Sequence, residues 1–402
     1  MKNFFALALA FLLVSKLSAN TDSLRIAVFY TQPLSSLAIV PEGDYHLMLD
    51  SCKSVSIASG EMLFFSIADG KVRVRTASNH IGSFNSVVVY SNTSTGSFKV
   101  IPTSQKLYAR WYDDNAILSC QNGKLLLVNH IEVEKYIAGV VEAEAGNSAK
   151  PEFYKAQVLL ARTYALGHTD KHAPEGFSLC DDVHCQAFKG RSTRNPEIFK
   201  AAVATHRMVV ADSTGRLIIA AFHSTCGGET AYSEQVWPQS RYYLVKVNDP
   251  YCVGKRNATW EKRILVKDFT SYLSTKGFSS SSLNGDGLTF LQPKRNAFYK
   301  IGRDSIAFAR IRTDLGLRSA FFSVATSEGE VVLTGKGYGH GVGMCQIGAM
   351  EMANRGMDYA AIINFYFKGV KIISIEEVTN FFPDAKEIDL PIGEPITSEA
   401  VQ

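Results

Sequence analysis

Between residues 23 and 137, hydrophobic positions come in short runs that polar turn sequences interrupt. Each run is rich in β-branched and aromatic residues, and the interruptions PEGD, ADGK and QNGK are typical of turns. The runs are LRIAVFY, YHLMLD, MLFFSIADGKVRVRT, SVVVYS, SFKVIP and LYARWY. This pattern predicts a β-rich N-terminal region over residues 21–137.

The pattern changes at Pro151, after which apolar positions recur every three or four residues. Phe153, Ala156, Leu160 and Tyr164 would share one face of a helix that starts with proline at its first position. The spacing therefore predicts a helix in PEFYKAQVLLARTYALGH, and Gly167 is expected to end it.

Lys155 and Arg162 lie two turns apart, so we expect them on a face of this helix other than the core face. A second helix is predicted in NPEIFKAAVATH, followed by strands in RMVVAD, RLIIAAFHS and YYLVKV.

Residues 262–335 read as an α+β insertion within a core that spans residues 138–375. The insertion has a predicted helix at VKDFTSYLS and strands near FYKIG and SIAFARI. A glycine-rich loop and a helix in CQIGAMEMANRG follow, and residues 376–402 form an acidic tail with few core residues. The whole pattern indicates the α+β fold class.

The first 20 residues have the pattern of a secretory signal peptide. Lys2 precedes a short apolar run from Phe4 to Val14, and small residues at Ser18 and Ala19 suit cleavage. An uncleaved membrane anchor is the alternative. The pattern predicts an exported protein of the periplasm or cell envelope, and no later run is long and apolar enough to span a membrane.

Charge does not indicate a nucleic-acid partner. The chain has 402 residues, 20% of them charged, and its net charge of +4 is spread without a long basic block.

Seven cysteines bear on the chemistry, because thiols in an exported protein tend to be oxidised or metal-bound. The segment CDDVHCQAF holds Cys180, His184 and Cys185, with His168 and His172 upstream. Such spacing can bind zinc, but it also fits a short-loop disulfide or a plain surface loop.

Glu142 and Glu144 stand two residues apart in GVVEAEAG. On an extended segment they would point to one face, beside an apolar strand at residues 137–141. A carboxyl group in apolar surroundings can serve as a general acid, whereas the alternative is the polar edge of a strand facing water.

Two glycine-containing segments follow later. FHSTCGGET lacks the G-x-S-x-G pattern, so Ser224 is not favoured as a nucleophile and the glycines indicate close backbone approach. GYGHGVGMCQIGA, with His340 inside it, leads into a helix and could present backbone N–H groups to a ligand. A tight structural loop is the alternative.

Together these segments resemble the SpoIID/LytB family, named for stage II sporulation protein D and an amidase enhancer. The resemblance covers roughly residues 24–375 and rests on six motifs in the family's order. They are GVVEAEAGNSAKPEFYKAQVLLARTYAL, CQAFKG, HSTCGGET, VNDPYC with a later TW, RTDLGLRSAFF and GYGHGVGMCQIGAMEMANRG.

The resemblance implies a lytic transglycosylase, a lyase that cuts peptide-stripped peptidoglycan glycan strands and leaves 1,6-anhydro ends. Glu144 matches the family's catalytic glutamate. Ala145 and Gly146 replace the Met-Pro that often follows it, and Glu142 stands where another residue is usual. The substrate-binding candidates are Arg162, Gln186, Ser224, His340 and Gln346.

The resemblance also implies a structural zinc ion bound by His172, Cys180 and Cys185, with His168 or His184 as alternative ligands. The LytB name implies a different role, a non-catalytic wall-binding activator of a cell-wall amidase. A metal-dependent wall hydrolase built on the two cysteines is a third reading.

Overall fold

The structure is a computed structural model that describes residues 22–50, 53–255, 257–283 and 285–381. The signal peptide expected at residues 1–20, Cys52 and most of the expected tail at 376–402 lie outside the described residues.

Strands dominate the first third of the chain, which confirms the predicted β-rich region and the α+β class. Within the described part of the chain, twelve strands precede the first helix: β1 Ser23–Val28, β2 Ser36–Glu42, β3 Tyr45–Leu49, β4 Lys53–Ile57, β5 Leu63–Ala68, β6 Lys71–Arg75, β7 His80–Phe84, β8 Ser86–Ser91, β9 Ser97–Pro102, β10 Arg110–Asp113, β11 Asn115–Gln121 and β12 Lys124–Glu132.

Helices and shorter strands make up the remainder: α1 Val133–Ala145, α2 Pro151–Gly167, β13 Leu179–Cys180, α3 Pro196–Ala204, β14 Met208–Ala211, β15 Phe222–His223, β16 Thr259–Leu265, α4 Val266–Thr275, β17 Phe298–Ile301, β18 Asp304–Ala307, α5 Phe308–Leu315, β19 Phe322–Ser327, β20 Glu330–Lys336, β21 Met344–Cys345, α6 Gln346–Asn354, α7 Tyr359–Tyr366 and β22 Lys371–Ser374.

The N-terminal strands form two sheets, in the orders β13-β1-β12-β11-β8-β3-β4 and β10-β9-β2-β5-β6-β7. Side chains alternate between core and solvent: in β6, Val72 and Val74 are buried between exposed Lys71, Arg73 and Arg75. Buried residues from both sheets belong to one core, which also takes in the apolar faces of α1, α2 and α3.

Helix α2 begins at Pro151, as the sequence predicts, and runs through Gly167. Helix α3 begins after Asn195, whose side chain accepts the Glu197 N–H and caps the helix. Both helices pack on α1, and α2 also contacts α6 and α7.

A second, smaller core lies entirely within residues 260–333. It is formed by the sheet β16-β20-β19, the hairpin β17–β18 and helices α4 and α5. Helix α4 occupies the predicted segment, whereas SIAFARI divides between β18 and α5.

Two predicted strands are wrong. YYLVKV forms no strand, and only Phe222 and His223 of RLIIAAFHS do. Tyr243 and Leu244 are buried, and the Tyr243 hydroxyl accepts the Ile219 N–H at 3.0 Å. Their apolar side chains therefore fix a loop to the core instead of lining a sheet.

Among the described residues, no helix is long and apolar enough to cross a membrane.

Candidate functional site

Glu142 and Glu144 lie on helix α1, so the prediction that they sit on an extended segment is wrong. All residues of α1 except Lys135 and Ala143 are buried, so the segment has no amphipathic period that would distinguish a helix from a strand in the sequence. Residues two apart on a helix point in roughly opposite directions, so the two carboxylates do not share a face.

Glu142 binds the loop that leads into α3. Its carboxylate accepts the Arg194 N–H at 2.8 Å and the Ser192 hydroxyl at 3.0 Å, and the Arg194 guanidinium lies 3.2 Å away. These contacts give Glu142 a structural role.

Glu144 occupies the last turn of α1 and meets two segments that are distant in sequence. Its Oε1 accepts the Ala187 N–H at 2.8 Å. The Gln346 side chain donates to its main-chain carbonyl at 3.3 Å. The residue is 1% exposed, so these contacts hold it inside the protein.

Gln346 is therefore in contact with Glu144, and Gln186 directly precedes the Ala187 N–H that binds the Glu144 carboxylate. Gln186 donates to the Ala161 carbonyl at 3.3 Å and accepts the Tyr136 hydroxyl at 3.3 Å. Both glutamines are buried.

Ser224 joins the same region through α6. The parallel pair β15–β21 places it beside the start of that helix, and its carbonyl accepts the Ile347 N–H at 3.1 Å. The Ser224 hydroxyl lies 3.5 Å from that of Thr225.

Both ring nitrogens of His340 are bonded to main-chain groups, one in the loop and one in β15. Nδ1 accepts the Val342 N–H at 3.0 Å, so Nε2 carries the proton and donates to the Phe222 carbonyl at 2.9 Å. The ring is buried next to Trp237 and His223. This geometry supports the structural alternative for the loop.

Steric constraints explain why this loop contains glycine at four positions. All four, at positions 337, 339, 341 and 343, have positive φ. A Cβ on Gly343 would come within 2.2 Å of the Ala221 carbonyl oxygen, and one on Gly337 within 2.5 Å of the Thr225 carbonyl oxygen. Glycine lets the loop lie directly on the 221–226 backbone.

Arg162 is buried, contrary to the expectation that it lies away from the core. Its guanidinium forms a two-point ion pair with Glu134 and donates to the carbonyls of Met208 at 2.9 Å and Ala202 at 3.0 Å. It joins α1, α2 and α3 and is not brought to Glu144.

The loop before Ala187 contains a cluster of His172, Cys180, His184 and Cys185. Their ligating atoms lie within 4.8 Å of one another. His172 Nε2 is 3.4 Å from Cys185 Sγ, and His184 Nδ1 is 3.6 Å from Cys180 Sγ and 3.7 Å from Cys185 Sγ.

These separations fit a metal ion. Around tetrahedral zinc, Zn–S bonds of about 2.3 Å and Zn–N bonds of about 2.0–2.1 Å place nitrogen and sulfur about 3.6 Å apart. A hydrogen bond from the Cys185 thiol lowers the pKa of Cys180 to about 5, which favours the thiolate that metals bind. Glu175 holds His172 Nδ1 at 2.5 Å, as the outer carboxylate does in many zinc sites.

His168 lies outside this cluster. Its Nδ1 is bonded to the Tyr164 carbonyl at 2.7 Å, and burial lowers its pKa to about 4. His184 is the fourth member, which the sequence offered only as an alternative. Sequence reasoning also missed the Ala187 N–H, because a backbone donor leaves no signature in residue type.

The part of the chain that holds Glu144 and the histidine–cysteine cluster matches a known protein family. The SpoIID family model, described as Stage II sporulation protein, matches residues 121–211, which include Glu144 and the histidine–cysteine cluster.

Relatives extend the similarity along the chain. An uncharacterized protein of Brachyspira hyodysenteriae is 32% identical over 270 aligned positions, which cover 65% of this chain and 73% of that protein. Stage II sporulation protein D of Bacillus amyloliquefaciens is 31% identical over 61% of this chain and 75% of its own. The Amidase enhancer of Bacillus subtilis is 28% identical over 59% of this chain but 40% of its own. The chain belongs to the SpoIID family.

Proposed function

We propose that this protein acts on the bacterial cell wall as a lytic transglycosylase, with Glu144 as its single acid and base. The observation that carries the proposal is the convergence on Glu144 of the segments around Gln186 and Gln346. Both segments hold motifs of the family to which the chain belongs, and they meet at one residue: the Ala187 N–H binds the Glu144 carboxylate, and the Gln346 side chain binds the Glu144 main-chain carbonyl.

The chemistry needs only one carboxyl group. Protonated Glu144 donates its proton to the glycosidic oxygen while the bond from that oxygen to the anomeric carbon breaks. The sugar's own 6-hydroxyl then bonds to the anomeric carbon and gives its proton to the Glu144 carboxylate. No water is consumed, so the second carboxylate that activates water or attacks in ordinary glycosidases is not required. Glu142, whose carboxylate is hydrogen-bonded to Ser192 and Arg194, is therefore not needed for the reaction.

The proposal requires that the glycan strand can reach Glu144. Because Glu144 is 1% exposed, a glycosidic oxygen reaches it only after the covering segments move. The contacts that must adjust are those from Ala187 and Gln346.

We further propose that His172, Cys180, His184 and Cys185 hold a structural zinc ion. Four protein ligands close the coordination sphere, as in structural sites. The ion would fix the turn at residues 180–185 and, two residues later, the Ala187 N–H that binds Glu144.

Incubation of the purified protein with peptide-free glycan strands, followed by mass spectrometry, tests the enzyme. We expect 1,6-anhydro ends from the parent chain and none from Glu144→Gln, because glutamine cannot donate and take back the proton. Glu142→Gln is the matched control: it loses its ion pair with Arg194 and is expected to be less stable but still to cleave. Cleavage by Glu144→Gln would refute the assignment.

A non-catalytic wall-binding activator of an amidase is the second candidate. Two observations favour it: the burial of Glu144 and the similarity to a relative named Amidase enhancer. It predicts intact strands that remain bound, equal binding by Glu144→Gln, and faster amidase turnover when the protein is added.

A further inference from the structure

Three cysteines and one aspartate meet in the core at a place that the proposed reaction does not use. Cys226, Asp249, Cys252 and Cys345 are each 0% exposed, and their ligating atoms lie within 4.8 Å of one another. A buried carboxylate is costly unless a positive charge or hydrogen bonds compensate it, and three buried sulfurs beside it are donors that a metal ion can bind.

The four groups match the donors of a zinc site. Cys226 Sγ lies 3.1 Å from Cys252 Sγ and 3.2 Å from Asp249 Oδ2. With Zn–S bonds of about 2.3 Å and Zn–O bonds of about 2.1 Å, a tetrahedral ion needs about 3.8 Å between sulfurs and about 3.6 Å between sulfur and oxygen. To accommodate the ion, the sulfur–sulfur separation has to widen by about 0.7 Å and the sulfur–oxygen separation by about 0.4 Å. Thiolate ligands favour zinc over hard cations.

Backbone donors surround the sulfurs. Cys345 Sγ accepts the N–H groups of Cys226 at 3.2 Å and Gly348 at 3.4 Å, and Cys252 Sγ accepts that of Gly228 at 3.2 Å. Hydrogen bonds of this kind favour thiolates. Cys345 also caps the N-terminus of α6, the positive end of the helix dipole.

The remaining contacts hold the carboxylate in place. Asp249 Oδ2 accepts the Tyr366 hydroxyl at 2.9 Å, and Oδ1 accepts the Tyr251 N–H at 2.9 Å. A Cβ on Gly348 would come within 2.3 Å of Asp249 Oδ2, so α6 approaches the aspartate this closely only with glycine. The buried Arg295 guanidinium donates to the Cys226 carbonyl at 2.8 Å and adds positive charge.

A disulfide explains less of this arrangement. It would join two sulfurs at about 2.05 Å and leave the third thiol and the aspartate buried beside it. We propose instead that Cys226, Asp249, Cys252 and Cys345 form a second structural zinc site, separate from the histidine–cysteine cluster. The ion would tie residues 226–228 and 249–252 to the start of α6, next to Gln346.

Metal content per chain tests this inference without reference to glycan cleavage. The full chain is purified without chelator, and zinc is measured by elemental mass spectrometry for the parent and three variants. Cys226→Ser/Cys252→Ser should lose one zinc per chain relative to the parent. Cys180→Ser/Cys185→Ser should keep that zinc, and Cys120→Ser, at a half-buried cysteine in neither cluster, should match the parent. Unchanged zinc in Cys226→Ser/Cys252→Ser would overturn the proposal.

A second measurement covers the case in which Cys226→Ser/Cys252→Ser does not fold. Cobalt(II) added to metal-free Cys180→Ser/Cys185→Ser should give the intense thiolate charge-transfer absorption of a tetrahedral multi-thiolate site. Absence of this absorption would contradict the site. So would a parent mass lower by two hydrogen atoms together with a Cys226–Cys252 cross-linked peptide in a non-reducing digest.

Discussion

At the scale of single residues, Arg162 shows how burial decides a role. An arginine within a motif of the family suggests ligand binding, yet this one is 1% exposed and paired with Glu134. Its guanidinium also donates to two carbonyls, so it satisfies groups on α3 and β14 as well as α1. Its position explains its chemistry without a ligand.

Arg162→Met should therefore destabilise the fold. Removing one partner of a buried ion pair leaves the other charge uncompensated, which costs about 3–5 kcal/mol. Urea denaturation of the two proteins measures the difference in the free energy of unfolding. Lys155→Met, on the same helix, breaks the partly exposed pair with Glu152 and a contact with the Tyr359 ring, and should cost about 1 kcal/mol. Equal stability of Arg162→Met and the parent, with weaker glycan binding, would restore the ligand role.

The sequence predicted residue types at the candidate site better than their partners. Gln346 contacts Glu144, Gln186 directly precedes Ala187, and the Ser224 carbonyl accepts the N–H of Ile347, the residue after Gln346. The motifs could not show that both ring nitrogens of His340 are bonded to main-chain groups, because one of these groups belongs to Phe222, which is 118 residues away. The spacing of residues within a motif predicts local structure, but it does not show which distant segments of the chain come into contact.

At the scale of elements, the glycine-rich loop connects β20 to β21 and packs against the backbone of a distant segment. It follows β20, leads into β21 and runs along residues 221–226. The segment around β15 carries Ser224, and α6 after β21 carries Gln346, so the loop geometry sets how the two approach.

Gly343→Ala should test the close approach separately from backbone conformation. Alanine at φ +73 with Cβ 2.2 Å from the Ala221 oxygen must push the strands apart. Gly329→Ala is the matched control, with φ +81 and nothing within 4 Å. Both variants carry the cost of positive φ, so Gly343→Ala should be destabilised by about 1–3 kcal/mol more, the usual cost of overpacking. Thermal and urea unfolding measure this difference, and equal losses in the two variants would disprove close packing.

Elements also differed in how well sequence predicted them. Helix α2 and the N-terminal strands follow their periodicity and flanking residues. Helix α1 was missed because its apolar run is short and rich in valine and isoleucine, which suit a strand equally well before tertiary packing decides.

At the scale of the whole molecule, the chain builds two separate apolar cores. The larger joins the two N-terminal sheets to α1, α2 and α3, and the smaller lies within residues 260–333. Each is assembled from its own buried side chains, so each has its own contribution to stability. Glu144 and both metal-ligand clusters belong to segments of the larger core or its loops.

One leucine substitution in each core should show whether the two cores unfold independently. Leu333→Ala in β20 and Leu118→Ala in β11 each remove a fully buried side chain, at a cost of about 2–5 kcal/mol. If the cores open separately, Leu333→Ala speeds amide hydrogen exchange in peptides from residues 259–336 and leaves β1 to β12 protected. Leu118→Ala does the reverse. Faster exchange throughout the chain in both variants would show instead that the two cores unfold as one cooperative unit, and glycan cleavage would then fall with either substitution.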